Sequence, residues 1–337
     1  RIMQFGYSEV CLEHDTGERH PETADRLRAI QRALQHKHHV DYQDGPAATR
    51  EQIQAVHRGT YLNELKRFCE NDGGSWDRDT VASEGTWDAA RKSAGLALWA
   101  ARQALDGADG RQTPFSLGRP PGHHAVSHKA MGFCFVNNAA VAAQTLLDEG
   151  EVDRVAIFDW DVHHGNGTQD IFYDREDVFY GSIHEEGIYP GSGDVDETGT
   201  GDGERATLNA PLPAGACDAD FLHVVDEALG PALADFDPDL VIVSAGFDAH
   251  EHDPISRHRV STEGYALLTD RLRSIADAND AALAFVLEGG YGLDTLSEGV
   301  AMVHETFDGR EPITCEDDPE TSTVEITDDI RRRLDIE

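Results

Sequence analysis

RVAIFDWDVHHGNG, residues 154–167, begins as an apolar run of strand length and ends in carboxylates, histidines and glycines. An apolar run without alternation suits a strand covered on both faces. The same grammar recurs in TPFSLG (113–118), VFYGSIH (178–184), LVIVSAG (240–246) and ALAFVLEGG (282–290). Helical patterns lie between and after these runs, near 137–149, 168–174, 218–234, 262–278 and 292–306. Such alternation predicts a single α/β domain, a central mainly parallel sheet with helices on both faces. Upstream, the spacing predicts helices over 22–37, with Pro21 in the first turn, over 60–71 and over 85–106. In the last of these, Trp87, Ala90, Ala94, Leu98, Ala101 and Leu105 form a stripe that reads as core. The chemistry is expected within residues 1–310. Residues 311–337 are acidic and weakly periodic and read as a peripheral tail, partly disordered.

Four of the five runs end in polar or glycine-rich clusters: RPPGHH, DVHHGNG, GFDAHEHDP and EGGYG. Ligands of open parallel sheets bind beyond the carboxyl ends of the strands, so these clusters are expected to meet. Asp159, Asp161 and His163 are spaced by two and would share one side of an extended backbone. Carboxylate and imidazole are suitable zinc ligands, and Asp248 supplies a third donor from another strand end. One such aspartate alone would read as a cap or loop hydrogen bond; their joint placement points to a site. The adjacent His123 and His124 supply a base and an acid or electrostatic partner, with Asp159 and Asn166 as candidates to orient them. Tyr291 offers a phenol to a developing oxyanion. Phe133 and Tyr189, on glycine-flanked loops, can wall an apolar channel. His36, His38 and His39 read as a solvated cluster, and His57 is ambiguous.

The chain has 337 residues, with 28 basic against 64 acidic and a formal charge of −36. Only Lys37, Lys66, Lys92 and Lys129 are lysines. Acid spread along the whole chain, with scarce lysine, predicts a halophile's protein, since at about 1 M salt the Debye length is roughly 3 Å. Such a surface disfavours a nucleic-acid footprint. The five cysteines, Cys11, Cys69, Cys134, Cys217 and Cys315, form no CxxC and predict neither a disulfide framework nor a structural zinc site. RIMQFGYSEV lacks a signal-peptide pattern, and no apolar run approaches a membrane span, so a soluble cytoplasmic protein is expected.

RPPGHHA (119–125), GFCFVNN (132–138), DWDVHHGNGTQ (159–169), SAGFDAHEHDP (244–254) and LEGGY (287–291), in this order, resemble the class II histone deacetylase and acetylpolyamine amidohydrolase superfamily. EHDTGERHPETADRLRAI (13–30) and DTVASEGTWDAA (79–90) are similar to that family's opening, so the resemblance spans roughly residues 7–305. It implies an arginase-like fold and one catalytic zinc at Asp161, His163 and Asp248. It implies that His123 and His124 are the acid–base pair, and that Tyr291 polarises the acetyl carbonyl. Phe133 and Tyr189 would sandwich the substrate's aliphatic chain, with Gly132 lining the same tunnel. Structural potassium is implied at the side chains of Asp159 and Ser182 and the backbone of Asp161, His163 and His184. Asn166 stands where class I members carry Asp, as in class II members. The acid that grips the substrate at the tunnel rim is Asp79 or Glu84. The implied activity is removal of acetyl groups from acetylated lysine of proteins; the alternative substrates are small acetylated amines such as acetylpolyamines. A two-metal ureohydrolase would need a fuller second ligand set than Asp248-Ala249-His250 offers. A non-catalytic acyl-lysine binding protein would show a damaged site.

Overall fold

The computed structural model describes residues 3–107 and 112–336; the outermost ends of the expected domain and tail lie outside that range. The strands are β1 (Met3–Gly6), β2 (Val40–Gln43), β3 (Gly74–Ser75), β4 (Val81–Ala82), β5 (Phe115–Ser116), β6 (Val155–Asp159), β7 (Val178–Glu185), β8 (Thr207–Leu212), β9 (Leu240–Ala245) and β10 (Ala282–Leu287). Eight of them form one sheet in the order β2-β1-β5-β10-β9-β6-β7-β8, and every neighbouring pair is parallel. β3 and β4 pair separately as a small antiparallel hairpin.

The five expected runs all contribute strands to the large sheet; its other three strands, β1, β2 and β8, and the β3–β4 hairpin were not foreseen. β1 and β2 have only four residues each, and β2 lies at one sheet edge with a polar, half-exposed sequence. β8 lies at the other edge, where Pro211 is tolerated because no further strand needs its N–H.

Alternating strand residues feed two cores. Val155, Ile157, Leu240, Ile242, Ala282 and Ala284 pack with α3 (Gly59–Glu70), α4 (Thr86–Asp106) and α5 (Asn138–Asp148). Ala156, Phe158, Val241, Val243, Leu283 and Phe285 pack against the opposite layer. That layer contains α1 (Asp25–Leu34), α7 (Asp218–Val224), α8 (Gly230–Phe236), α9 (Thr262–Ala278) and α10 (Leu293–Phe307). Burial on both faces explains why these strands read as unbroken apolar runs. A π-helical turn, Val225–Leu229, links α7 to α8. Two short helices, α2 (Arg50–Gln54) and α6 (Asn166–Phe172), and two 3-10 turns, Glu9–Glu13 and Gly201–Gly203, complete the helical elements described up to residue 310.

Two expectations change. α1 starts at Asp25, so Pro21 precedes the helix instead of opening it. The acidic C-terminal stretch contains a helix, α11 (Thr321–Leu334), that packs on β8 and α7. It buries Thr323, Thr327, Ile330 and Leu334, and the buried Asp220 carboxylate accepts from Glu320 N and Thr323 Oγ1 at its start. Half of that buried stripe is threonine, which hides the apolar period from a hydropathy reading.

Candidate active site

β5, β10, β9 and β6 are consecutive neighbours in the sheet, so the four polar clusters that follow them open onto one place. β6 ends at Asp159, and residues 161–163 form a bend. Asp161 and His163 are therefore brought together by that bend and not by the pleat of a strand, which corrects the reason for their grouping. Asp159 turns instead toward the histidine pair.

Asp161, His163 and Asp248 offer ligand atoms that all lie within 4.8 Å of one another. His163 Nδ1 is 3.3 Å from Asp161 Oδ1 and 3.2 Å from Asp248 Oδ2. Both carboxylates are fully buried. Main-chain amides hold them: Gly289 N donates to Asp161 Oδ2 at 2.8 Å and Val162 N to Asp248 Oδ1 at 2.9 Å. Gly289 must be glycine for that approach, since a Cβ there would fall 2.6 Å from Asp161 Oδ2 and closer still to Asp248. Burial, and then the charge of Asp161, push the Asp248 carboxyl up to about 7. Desolvation works to lower His163, but hydrogen bonds to Asp161 and Asp248 push it up to about 10. Two carboxylates forced together in the dry interior call for a compensating cation. A dication bound by both and by the imidazole would supply it, and this donor set suits Zn²⁺. Among the described residues no other group of three or more such side chains is arranged to hold an ion. His250 instead bonds Thr262 Oγ1 and His252 N, so the later strand end builds no second ligand set.

The His123 and His124 rings lie with centroids 4.0 Å apart, their planes tilted by 41°. His123 Nδ1 donates to Asp159 Oδ2 at 2.9 Å, and His124 Nδ1 to Asn166 Oδ1 at 2.8 Å. Their environments diverge. Desolvation disfavours the His123 cation, yet Asp159 and Asp161 hold its pKa well above the usual histidine value. Desolvation lowers His124 well below that value, and the neighbouring His123 and His163 add to it. Asp159 Oδ2 also accepts from Tyr180, and Ser182 lies opposite Asp159 on β7 with its Oγ 2.8 Å from His184 Nδ1.

Above these groups a channel of about 160 Å³ is lined by Asp79, His124, Gly132, Phe133, His163, Tyr189, Ile255 and Tyr291. Gly132 has φ +55°, and a Cβ there would meet His124 Cδ2 at 2.5 Å, so its main chain forms the wall. Tyr291 meets Phe133 edge-on at 5.7 Å, and the Arg26 guanidinium lies 5.1 Å from its ring centre. Burial raises the Tyr291 phenol well above its ordinary pKa, so it remains a proton donor. Asp79 is at the channel; Glu84 is not among its lining residues.

Residues 20–307 match the histone deacetylase domain family. The chain belongs to the histone deacetylase family. It is 37% identical over 94% of its length to histone deacetylase 10, chloroplastic, of Oryza sativa subsp. japonica, covering 76% of that protein. It is 36% identical to the histone deacetylase-like amidohydrolase of Pseudomonas aeruginosa, covering 86% of this chain and 82% of the relative. The crystal structure of the HDA15 HD domain superposes with a TM-score of 0.90 at 34% identity, covering 99% and 96% of the two chains. As a member of this deacetylase family the chain is a hydrolase by relationship.

Other residues of this histone deacetylase fold escaped the sequence reading. Glu288 is fully buried, and its carboxylate accepts from Gly122 N, His123 N and Ser244 Oγ, bracing the turn that carries the histidine pair. Burial pushes it up to about 7. Glu22 bridges the buried Arg26 and Arg119, and Arg26 donates in turn to the carbonyls of Glu288 and Gly290. Apart from the i,i+4 pair of Glu22 and Arg26, these contacts cross long stretches of chain, and many end on main-chain atoms, so no spacing announces them. His57 is structural: its ring bonds Val126 O and Asn137 N, and burial lowers it to about 4. His39 pairs with Asp308 at the exposed surface. All five cysteines are free. No helix of the described residues is long and apolar enough to cross a membrane.

Proposed function

We propose that the chain is a zinc-dependent amidohydrolase that removes acetyl groups from acetylated lysine, releasing acetate. The observation that carries this reading is the buried Asp161–His163–Asp248 cluster at the base of a narrow, partly aromatic channel. A channel of that volume has room for an unbranched acylated chain. When bound, zinc supplies Lewis-acid polarisation of the acetyl carbonyl and a lowered pKa for the attacking water.

The chain's own residues do the rest. Phe133 and Tyr189 hold the aliphatic stem and exclude water from the reacting end. His124, kept neutral and with Nδ1 committed to Asn166, takes a proton at Nε2 and returns it to the leaving amine. His123, kept cationic beside Asp159, steadies negative charge that develops next to it. Tyr291 donates a hydrogen bond to the carbonyl oxygen as it becomes an oxyanion. Asp79, at the channel, accepts from the amides that flank the substrate lysine in this reading. Potassium is proposed beside Asp159 and Ser182, with main-chain oxygens of Asp161, His163 and His184.

Small acetylated amines are the second reading, favoured by the exposed Asp79 carboxylate at the channel, which would attract a cationic amine. The charge of −36 and the four lysines support work in a salt-rich cytoplasm. The test is acetate release from an acetyl-lysine peptide in concentrated KCl, beside a chelated sample and Tyr291→Phe. Suppression by both supports the reading. A folded, zinc-loaded wild type that releases no acetate from the peptide but does so from acetylpolyamines moves the substrate to the second class.

A further inference from the structure

Tyr291 sits in Gly289-Gly290-Tyr291-Gly292, a stretch with little conformational preference of its own. Gly290 has φ +118°. Among the described residues the Tyr291 hydroxyl has no hydrogen-bond partner, so its position is set by ring packing and by whatever fixes the main chain. Arg26 grips that chain from one side, donating to Gly290 O at 2.7 Å. The other grip comes from Asp253, in the loop after β9. Its Oδ2 accepts from Tyr291 N at 2.8 Å and Gly292 N at 3.3 Å, and its Oδ1 accepts from Ile255 N at 3.0 Å. Asp253 is buried and makes no ion pair among the described residues; its carboxylate is occupied by amides. One side chain thus anchors both the tyrosine and Ile255 in the channel wall.

We propose that Asp253 is a positioning residue for the reaction, acting through Tyr291 by fixing the main chain on either side of it. The inference rests on the oxyanion role given to Tyr291 above. Asp253 lies outside the Asp161–His163–Asp248 donor set, so its effect is separable from metal binding. Asp253→Asn keeps the side chain's size but turns one acceptor into a donor, which then faces an amide N–H. A displacement of about 1 Å at a reacting group costs on the order of 10²-fold.

The experiment compares wild type, Asp253→Asn and Tyr291→Phe in concentrated KCl on two peptides, acetyl-lysine and trifluoroacetyl-lysine, with metal content measured for each protein. The electron-poor trifluoroacetyl carbonyl depends less on a hydrogen-bond donor. Asp253→Asn is expected to keep wild-type metal content, to lose kcat on the acetyl peptide by about 10²-fold, and to lose less than about tenfold on the trifluoroacetyl peptide. Tyr291→Phe should show the same inequality. Unchanged kcat, an equal loss on both peptides, or lost metal would each overturn the proposal. A metal-loaded wild type that turns over neither peptide removes the hydrolase reading itself, and the role of Asp253 with it.

Discussion

The acids of this protein live in two regions that obey different rules. Asp159, Asp161, Asp248 and Glu288 are buried at the strand ends, each fixed by named amides, hydroxyls or imidazoles. On the surface, Glu149 and Glu151 meet Arg102, and Asp237 meets Arg154, as partly exposed pairs; many other carboxylates face solvent. An exposed pair contributes about 0–1 kcal/mol, whereas removing one partner of a buried charged pair costs about 3–5 kcal/mol. The difference teaches that the charge of −36 says little about the reaction, while a few acids account for the site. Surface acids act together through their field; the buried ones act singly through position.

The sharpest way to break that comparison is Asp248→Ala. It removes one of three donors and should abolish both bound metal and acetate release; full zinc content measured by elemental analysis would show that the cluster is not the metal site. Tyr291→Phe comes next. It should keep the metal and lower kcat by about 10²–10³-fold, the usual effect of losing one oxyanion donor. Steady-state kinetics with metal content held equal checks this.

A third test separates buried histidines from buried acids. Burial lowers His57 and His164 to about 4 and His14 to about 3. A histidine depressed in the folded state binds its proton more readily when unfolded. Its contribution is therefore complete above pH 6.5 and is lost as pH falls from 6.5 toward 4, up to about 3 kcal/mol for His57. Buried Asp248 and Glu288, pushed up to about 7, work in the opposite sense over the same window, so the histidine is isolated by comparison: thermal melts of His57→Gln should lose less stability from pH 6.5 to 4 than the wild type. The smallest effects belong to the surface. Asp237→Asn should change stability by less than about 0.5 kcal/mol, whereas raising KCl should raise the wild-type melting temperature by screening the whole field.

Most of the site was legible because its donors lie at the ends of runs that read as strands, and strands in a parallel sheet deliver their ends to one side. His123, Asp161, Asp248 and Tyr291 all follow adjacent strands for that reason. The grouping of Asp161 with His163 was anticipated on a wrong premise, since a bend after Asp159 joins them. β8 was hidden by Asn209, whose buried amide donates to Gln169 Oε1 and Glu197 O, and by Pro211, which its edge position tolerates; α11 was hidden by its threonines. The grip of Asp253 on Tyr291 and Gly292, and of Glu288 on Gly122 and His123, was invisible because those amides lie 38 or more residues away, and a backbone amide has no letter in the sequence.

On the proposed function, one buried Asp-His-Asp cluster holds one catalytic dication. Elemental analysis of the purified protein, folded in concentrated KCl, tests it most directly. One zinc-class ion per chain, lost together with acetate release on chelation, is the expected result. Two ions per chain, or none in a protein that still releases acetate, would contradict it.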